Sequence, residues 1–348
     1  MPATTGGGSL GQSSAVTRVL YVYARRNTFT RIDREVLAER FDLDEYYQPG
    51  AAPRPLELAR KLRRCDVVFG WQASWHTLAA LSMARLVRRP SVLVIGGFDT
   101  AAVPEIGYGN QLGTIRRQRA RRTVAQATRL VTNSRSSLAE IEENMGLSPS
   151  RVRVVYHGLE DRFGEASAEA REPIALTVGV VYRENLLRKG HLPFVQAAAS
   201  LPDVQFVLVG RAEDDAAEEL RRQATANVTL TGWLEDAELD EWFRRAAVYV
   251  QASIHEGFGL SLAEAMLAGA VPVTTAAGSL PEVVGDTGVE IPESSPYAVA
   301  AGVRTALELG AAAGAAARRR VLTEFPLDAR TEALAEEVEA AARGERSG

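Results

Sequence analysis

Short, mainly apolar runs of three to eight residues recur along the chain, separated by longer stretches that mix apolar and polar positions. In the first half the runs fall at 16–23, 66–70, 91–95, 129–132 and 152–155. A run without alternation marks a strand buried on both faces. Such strands alternating with helical patterns imply a parallel sheet covered by helices on either side. Helices are predicted near 31–40, 54–64, 75–88, 110–127 and 135–146. A second series of the same kind follows a polar stretch at 158–172. Its strands are predicted at 174–178, 204–209, 228–230, 248–251, 271–274 and 288–291. Its helices are predicted near 191–200, 213–224, 236–245, 260–268, 296–310 and 313–323. The segment 327–342 is strongly helical by propensity.

The pattern predicts an α/β fold of two Rossmann-like domains, one over 16–160 and one over 165–326, which suits a length of 348 residues. Residues 1–15 are small and polar, with no basic start followed by an apolar stretch, and read as a disordered leader rather than a signal peptide. No run approaches the roughly 18 apolar residues of a membrane span. The single cysteine, Cys65, excludes an intramolecular disulfide and suits a reducing compartment, so the expected location is the cytoplasm. Four scattered histidines leave no zinc-ligand spacing, and no metal site is expected.

The net charge of −4 conceals an asymmetry. Residues 1–164 carry 24 Arg/Lys against 15 Asp/Glu, and residues 165–348 carry 16 against 29. A basic half suits an anionic partner. The arginine-dense stretch IRRQRARR at 115–122 makes peripheral contact with an anionic membrane face one expectation and a solvated helix the other. Nucleic acid is not expected, because no reading motif or aromatic platform accompanies the arginines.

The most informative stretch is HEGFGLSLAEAMLAGAVPVT at 255–274. A strand ends near Gln251, a loop follows with Gly257 and Gly259, and a helix then runs to Gly269. A strand, glycine loop and helix start present free backbone N–H groups and the positive end of a helix dipole, a natural seat for a diphosphate. Glu256 and Glu264 bracket this loop, where carboxylates can accept sugar or ribose hydroxyls. Ser261 and Glu264 also satisfy a capping box, which is the structural alternative for Glu264. A second candidate is LTVGVVYRENLLRKGH at 176–191. There a strand enters Gly179 and a polar loop carries Arg183, Arg188 and Lys189, fixed positive charge of the kind a departing pyrophosphate needs. The structural alternative is a solvated basic turn.

Five ordered elements over 174–288 resemble the C-terminal domain of the group 1 (family 4 type) retaining glycosyltransferases. VG with Arg183 and Lys189 resembles the family's phosphate-binding pair. VQFVLVGR, ending at Arg211, resembles the next strand. LTGWLEDAELDEWFRRAAVYVQAS resembles the family's following stretch, with Ala252 where the family often has proline. EGFGLSLAE resembles its E-x7-E signature, and GSLPEVVGDTGVEIP its closing element. The resemblance implies a GT-B architecture, two such domains facing across a cleft. It implies a sugar transferred from a nucleotide-diphosphate sugar with retention, no cofactor beyond that co-substrate, and no obligatory metal. It places Glu256 on the transferred sugar and Glu264 on the ribose. The backbone of Gly257, Phe258, Gly259, Leu260 and Ser261 would hold the sugar and phosphates, and Trp233 and Leu234 would lie near the base. It also implies that the last helix, within 327–348, packs back on the first domain.

The first half resembles the family less. VLVIGGFDT at 92–100 has no histidine where the acceptor domain often has one. Gly97, Asp99 and, farther along a long Gly/Pro loop, Glu105 are the acceptor-site candidates; capping carboxylates in a loop are the alternative. The acceptor, whether lipid, glycan or small metabolite, is left open. So are two other readings: a nucleotide-sugar epimerase of the same architecture, and a non-catalytic nucleotide-sugar or membrane-binding module.

Overall fold

The computed structural model describes residues 16–50, 52–164 and 171–347. The leader at 1–15 and the start of the second predicted domain at 165–170 lie outside the described residues. One sheet contains β1 (Arg18–Tyr23), β2 (Asp42–Tyr47), β3 (Val67–Trp71), β4 (Ser91–Ile95), β5 (Arg129–Thr132) and β6 (Val152–Val154). The other contains β7 (Glu172–Val178), β8 (Gln205–Val209), β9 (Val228–Gly232), β10 (Ala246–Gln251), β11 (Val271–Thr274) and β12 (Val289–Glu290). Both are parallel, in the orders β2-β1-β3-β4-β5-β6 and β12-β11-β10-β7-β8-β9.

The first sheet is covered by α1 (Thr28–Ala38), α2 (Pro55–Leu62), α3 (Trp75–Leu86), α4 (Thr114–Gln126) and α5 (Arg135–Glu140). The second carries α6 (Arg183–Arg188), α7 (His191–Ala197), α8 (Ala216–Gln223), α9 (Asp236–Arg245), α10 (Leu260–Ala268), α11 (Leu280–Val284) and α12 (Pro296–Glu324), which breaks at Gly310. The apolar runs behave as their chemistry requires: Val19, Leu20, Tyr21 and Val22 are all buried, alternate residues packing into the cores on opposite faces of the sheet. Sequence reasoning missed β2, whose DLDEYY is polar because an edge strand buries little of its length. It also read 183–188 as a loop and predicted no element at 280–284, and both are short helices.

The chain crosses between the sheets twice, and the crossings run side by side. Leu159 N–H donates to Phe325 O at 2.9 Å, and Leu327 N–H donates to Leu159 O at 3.1 Å. The final helix, α13 (Leu327–Ala342), returns to the first sheet, where Leu334, Val338 and Ala341 pack with Val19, Tyr21 and Phe69. Arg330 on α13 forms a wholly buried ion pair with Asp33 on α1, at 2.6 and 2.7 Å. Trp71 Nε1 donates to the same carboxylate at 2.9 Å, and Arg330 Nη1 donates to the Val155 and Tyr156 carbonyls of the first crossing. Among the described residues no helix is long and apolar enough to cross a membrane.

Candidate active site

In the second sheet the strand order reverses between β7 and β10, and the crevice outside the carboxyl ends of strands at such a point is where ligands bind in doubly wound folds. Both predicted motifs leave the sheet there. The β7 arm passes through α6 to Lys189, and the β10 arm ends at Gln251 and turns into the Glu256 loop. Lys189 Nζ lies 3.1 Å from Glu256 Oε2, and Gln251 Nε2 donates to the same oxygen at 3.2 Å. The Glu256 carbonyl is pinned by the N–H of Ser279 at 3.1 Å and its hydroxyl at 3.2 Å. Burial pushes the Glu256 carboxyl up, but Lys189 and Arg188 outweigh it and hold the group below its ordinary value, ionised at neutral pH. Lys189 is aimed by Gly190, whose φ of +69° and contact with the Ala252 carbonyl leave no room for a side chain.

Helix α10 begins at Leu260, with Gly259 as its N-cap at φ +91° and no side-chain cap. The capping-box alternative for Glu264 therefore does not hold. Glu264 instead pairs with Arg162 at 3.1 Å, and Arg162 also grips Asp240 at 2.9 Å. Burial raises the Glu264 carboxyl above its ordinary value against the pull of Arg162. Phe258 anchors the loop, buried against Tyr156, His157 and Phe325. Ser261 is half-buried in the first turn.

The structure does not bring Arg183 to this cluster. Its guanidinium is exposed and engages Asp215 at 2.6 Å, and its N–H is held by Asp214. Arg188 takes the inner place, buried, with Asn185 Oδ1 fixing its guanidinium over the Tyr108 ring at 4.7 Å. The reason is α6: positions five apart on a helix point about 140° away from each other, so only one of the two arginines faces inward. Gly179 lies directly behind Lys189 and His191, where a Cβ would meet both side chains. Arg211 is exposed and paired with Glu213 at 2.5 Å. Trp233 is exposed, and Leu234 packs at the edge of the core under the loop.

The first domain closes onto this loop. His255 Nε2 lies 2.7 Å from Glu140 Oε1. Glu282 on α11 accepts the N–H groups of Arg135 (2.8 Å) and Ser136 (2.6 Å) at the start of α5, and the Tyr156 hydroxyl at 3.0 Å. Tyr108, in the long Gly/Pro loop, lies between Arg188 and His255. Gly97 sits against Gly257, and a Cβ on Gly257 would lie 2.8 Å from the Gly97 Cα. Gly257→Ala is expected to wedge the two domains apart, lowering turnover about tenfold or more while the fold survives; kinetics beside a melting curve check it, and unchanged kcat would reject it. The sequence offered no local signal for Arg162, Glu140 or Glu282, because each matters through a residue distant along the chain; Gln251 acts on Glu256 only five positions on, and Arg188 stood in the predicted basic loop beside Lys189.

Of the acceptor-site candidates, Gly97 touches the opposite domain directly, and Glu105 sits in a short turn at 104–106 that lies near α6 of that domain. Glu105 is exposed. Asp99 is buried within the loop, where Asn110 Nδ2 donates to it at 3.2 Å and its second oxygen finds no partner. Burial pushes its carboxyl up to about 7. The folded state thus holds a proton that the unfolded state releases at ordinary carboxylate pH, so Asp99 subtracts stability as pH rises from about 4 to about 7. Asp99→Asn is expected to gain stability over the wild type by on the order of 2 kcal/mol between pH 5 and pH 8. Denaturant titrations at both pH values measure this, and a pH-independent difference would contradict it.

Comparison with known proteins agrees with this architecture. Residues 172–308 match the family described as glycosyl transferases group 1, and residues 18–163 match glycosyltransferase family 4. The chain is 28% identical over 306 residues to glycogen synthase of Mycobacterium tuberculosis, covering 80% of this chain and 72% of that protein. It is 30% identical over 175 residues to an MMP alpha-(1->4)-mannosyltransferase of Mycolicibacterium hassiacum, covering 48% of this chain and 42% of the relative. Among solved structures, HepE of Anabaena in complex with UDP and glucose superposes with a TM-score of 0.76 at 18% identity, covering 93% of this chain and all of that one. Sucrose-phosphate synthase from Thermosynechococcus elongatus gives 0.75 at 17% identity, covering 94% of this chain and all of that one. The fold is the GT-B architecture of glycosyltransferases. The chain belongs to the group 1 glycosyltransferases.

Proposed function

We propose that the chain transfers a hexosyl group from a nucleoside-diphosphate sugar to a hydroxyl acceptor, with retention of configuration and without an obligatory metal. The observation that carries this reading is the half-buried Lys189–Glu256 pair on the loop that leads into α10. The free N–H groups of that helix start, its dipole, Lys189 and Arg188 offer positive charge where a diphosphate leaves. The bond from the anomeric carbon to the phosphate oxygen breaks, and the bond to the acceptor oxygen forms on the same face. The departing phosphate oxygen takes the acceptor's proton, so no protein nucleophile is required. Glu256 contacts the transferred sugar and Glu264 the ribose. HepE of Anabaena forms a complex with UDP and glucose, and the names of the relatives describe sugar transfer or glycan synthesis, which supports a sugar-nucleotide substrate.

The test is a thermal-shift panel of UDP, GDP, ADP and TDP and their sugars with EDTA present. One base should stabilise the protein, by about 2.7 kcal/mol at a hundred times Kd, and Lys189→Ala should lose that effect. Product NMR reads the anomeric configuration. Stabilisation only with added metal, or an inverted product, would overturn the proposal.

A further inference from the structure

The opposite end of the first sheet from the cleft carries a second concavity of about 790 Å³, within the range of small-molecule sites. It opens where the chain enters β4 and β5 and where α3, α4 and α13 end. Arg85, Arg88, Arg89, Arg151, Arg343 and Arg346 line it, and among the described residues no carboxylate does. Arginines at helix C-termini have an ordinary explanation, since they offset the dipole and the free carbonyls. That explanation covers Arg85 and Arg343. It does not cover Arg88.

Arg88 occupies the residue after the C-cap of α3, at φ +57°. Arg89 N–H donates to the Ala84 carbonyl at 2.8 Å, and Arg88 N–H to the Arg85 carbonyl at 3.2 Å. This is the Schellman arrangement, whose left-handed position glycine fills without strain and a branched Cα does not. A guanidinium is kept there against the local preference of the backbone. Arg88, Arg151 and Arg346 have no carboxylate partner among the described residues. Arg89 shares Asp66 at 3.9 Å, and Arg343 pairs with Glu345 at 2.6 Å and Glu339 at 4.0 Å. With those carboxylates counted in full, and roughly half a negative charge from each of three helix ends, the bowl keeps an excess of positive charge.

We propose that this bowl binds an anion bearing two or more phosphate groups, at a site separate from the sugar-donor cleft. Guanidinium forks match phosphate oxygens in bidentate geometry. Six of them spread around one bowl exceed what a single phosphate can engage. The ligand joins the C-terminal end of α13 to the first sheet, and the other end of that helix carries Arg330 beneath the crossings.

The probe is tripolyphosphate, followed by thermal shift and calorimetry on the full chain at low and high salt. Binding is expected at low salt and should weaken as salt screens the charges. It should persist in Lys189→Ala and weaken by about ten- to a hundredfold in the Arg88→Gly/Arg346→Ser double variant. Arg88→Gly relieves the left-handed strain, so this variant should melt at or above the wild-type temperature, and its transferase rate without anion should be unchanged. A parallel arm uses vesicles containing 30% phosphatidylglycerol. Bowl-dependent pelleting would assign the phosphates to lipid headgroups, and tripolyphosphate binding without pelleting would assign them to a soluble ligand. Failure of both probes, binding unaffected in the double variant, or binding lost in Lys189→Ala alone would overturn the proposal.

Discussion

Turnover in Lys189→Ala is expected to fall by about two to three orders of magnitude, the loss of roughly 2.7–4 kcal/mol seen when one preorganised charge or hydrogen-bond partner is taken from a developing anion. The Lys189 ammonium touches Glu256, which heads the loop leading into α10, so its removal strips that carboxylate of its ion-pair partner. Burial alone would raise the Glu256 carboxyl, and Lys189 and Arg188 now hold it down. With Lys189 gone, one of those two restraints is lost and the carboxyl titrates at a higher pH. The acid limb of kcat/KM should therefore move upward in Lys189→Ala. Glu256→Gln should lose a comparable factor with no such limb. Circular dichroism and melting curves establish that both variants fold. Near-wild-type rates in both would remove this pair from the mechanism, and a rate loss without movement of the acid limb would separate the roles of the two residues.

The largest stability effect is expected at Arg330. Removing one partner of a buried ion pair leaves an uncompensated charge, at a cost of about 3–5 kcal/mol. In Arg330→Met that charge is Asp33, wholly buried on α1, with the Trp71 indole as its remaining hydrogen-bond donor. The carbonyls of Val155 and Tyr156 lose their donors in the same step. Asp33→Asn combined with Arg330→Met should recover part of the loss, because the buried charge is then gone as well. Urea denaturation of the two variants measures this. A single-variant loss under about 1 kcal/mol would mean that α13 is held by its apolar contacts and by the Glu337 pairs with Arg129 and Arg153.

The acid bracket around the glycine loop could be read locally. EGFG with a helix behind it specifies a turn, a helix start and a carboxylate within a few residues, and local backbone preference is enough to predict each of them. The same holds for the mainly apolar strands, whose burial on both faces leaves few polar positions to disguise them. β2 was illegible because an edge strand lacks that pattern. Helix α6 was illegible because six residues rich in charge carry little apolar periodicity, and without that helix nothing separated Arg183, which faces out, from Arg188, which faces in.

By itself, the sequence determined two parallel α/β sheets, the place of the turns that end their strands, and a carboxylate beside a helix start. These depend on hydrophobic period and on glycine, which act over a few residues. Tertiary structure alone decided that Lys189 meets Glu256, 67 positions away, that Arg162 meets Glu264, and that Arg330 closes on Asp33 across 297 positions. It also decided that Glu140 and Glu282 reach across the cleft to the other domain. Charges have no period along a chain. Which of them pair is settled only when strand order and helix rotation bring them within reach, and burial then sets the cost of leaving any of them alone.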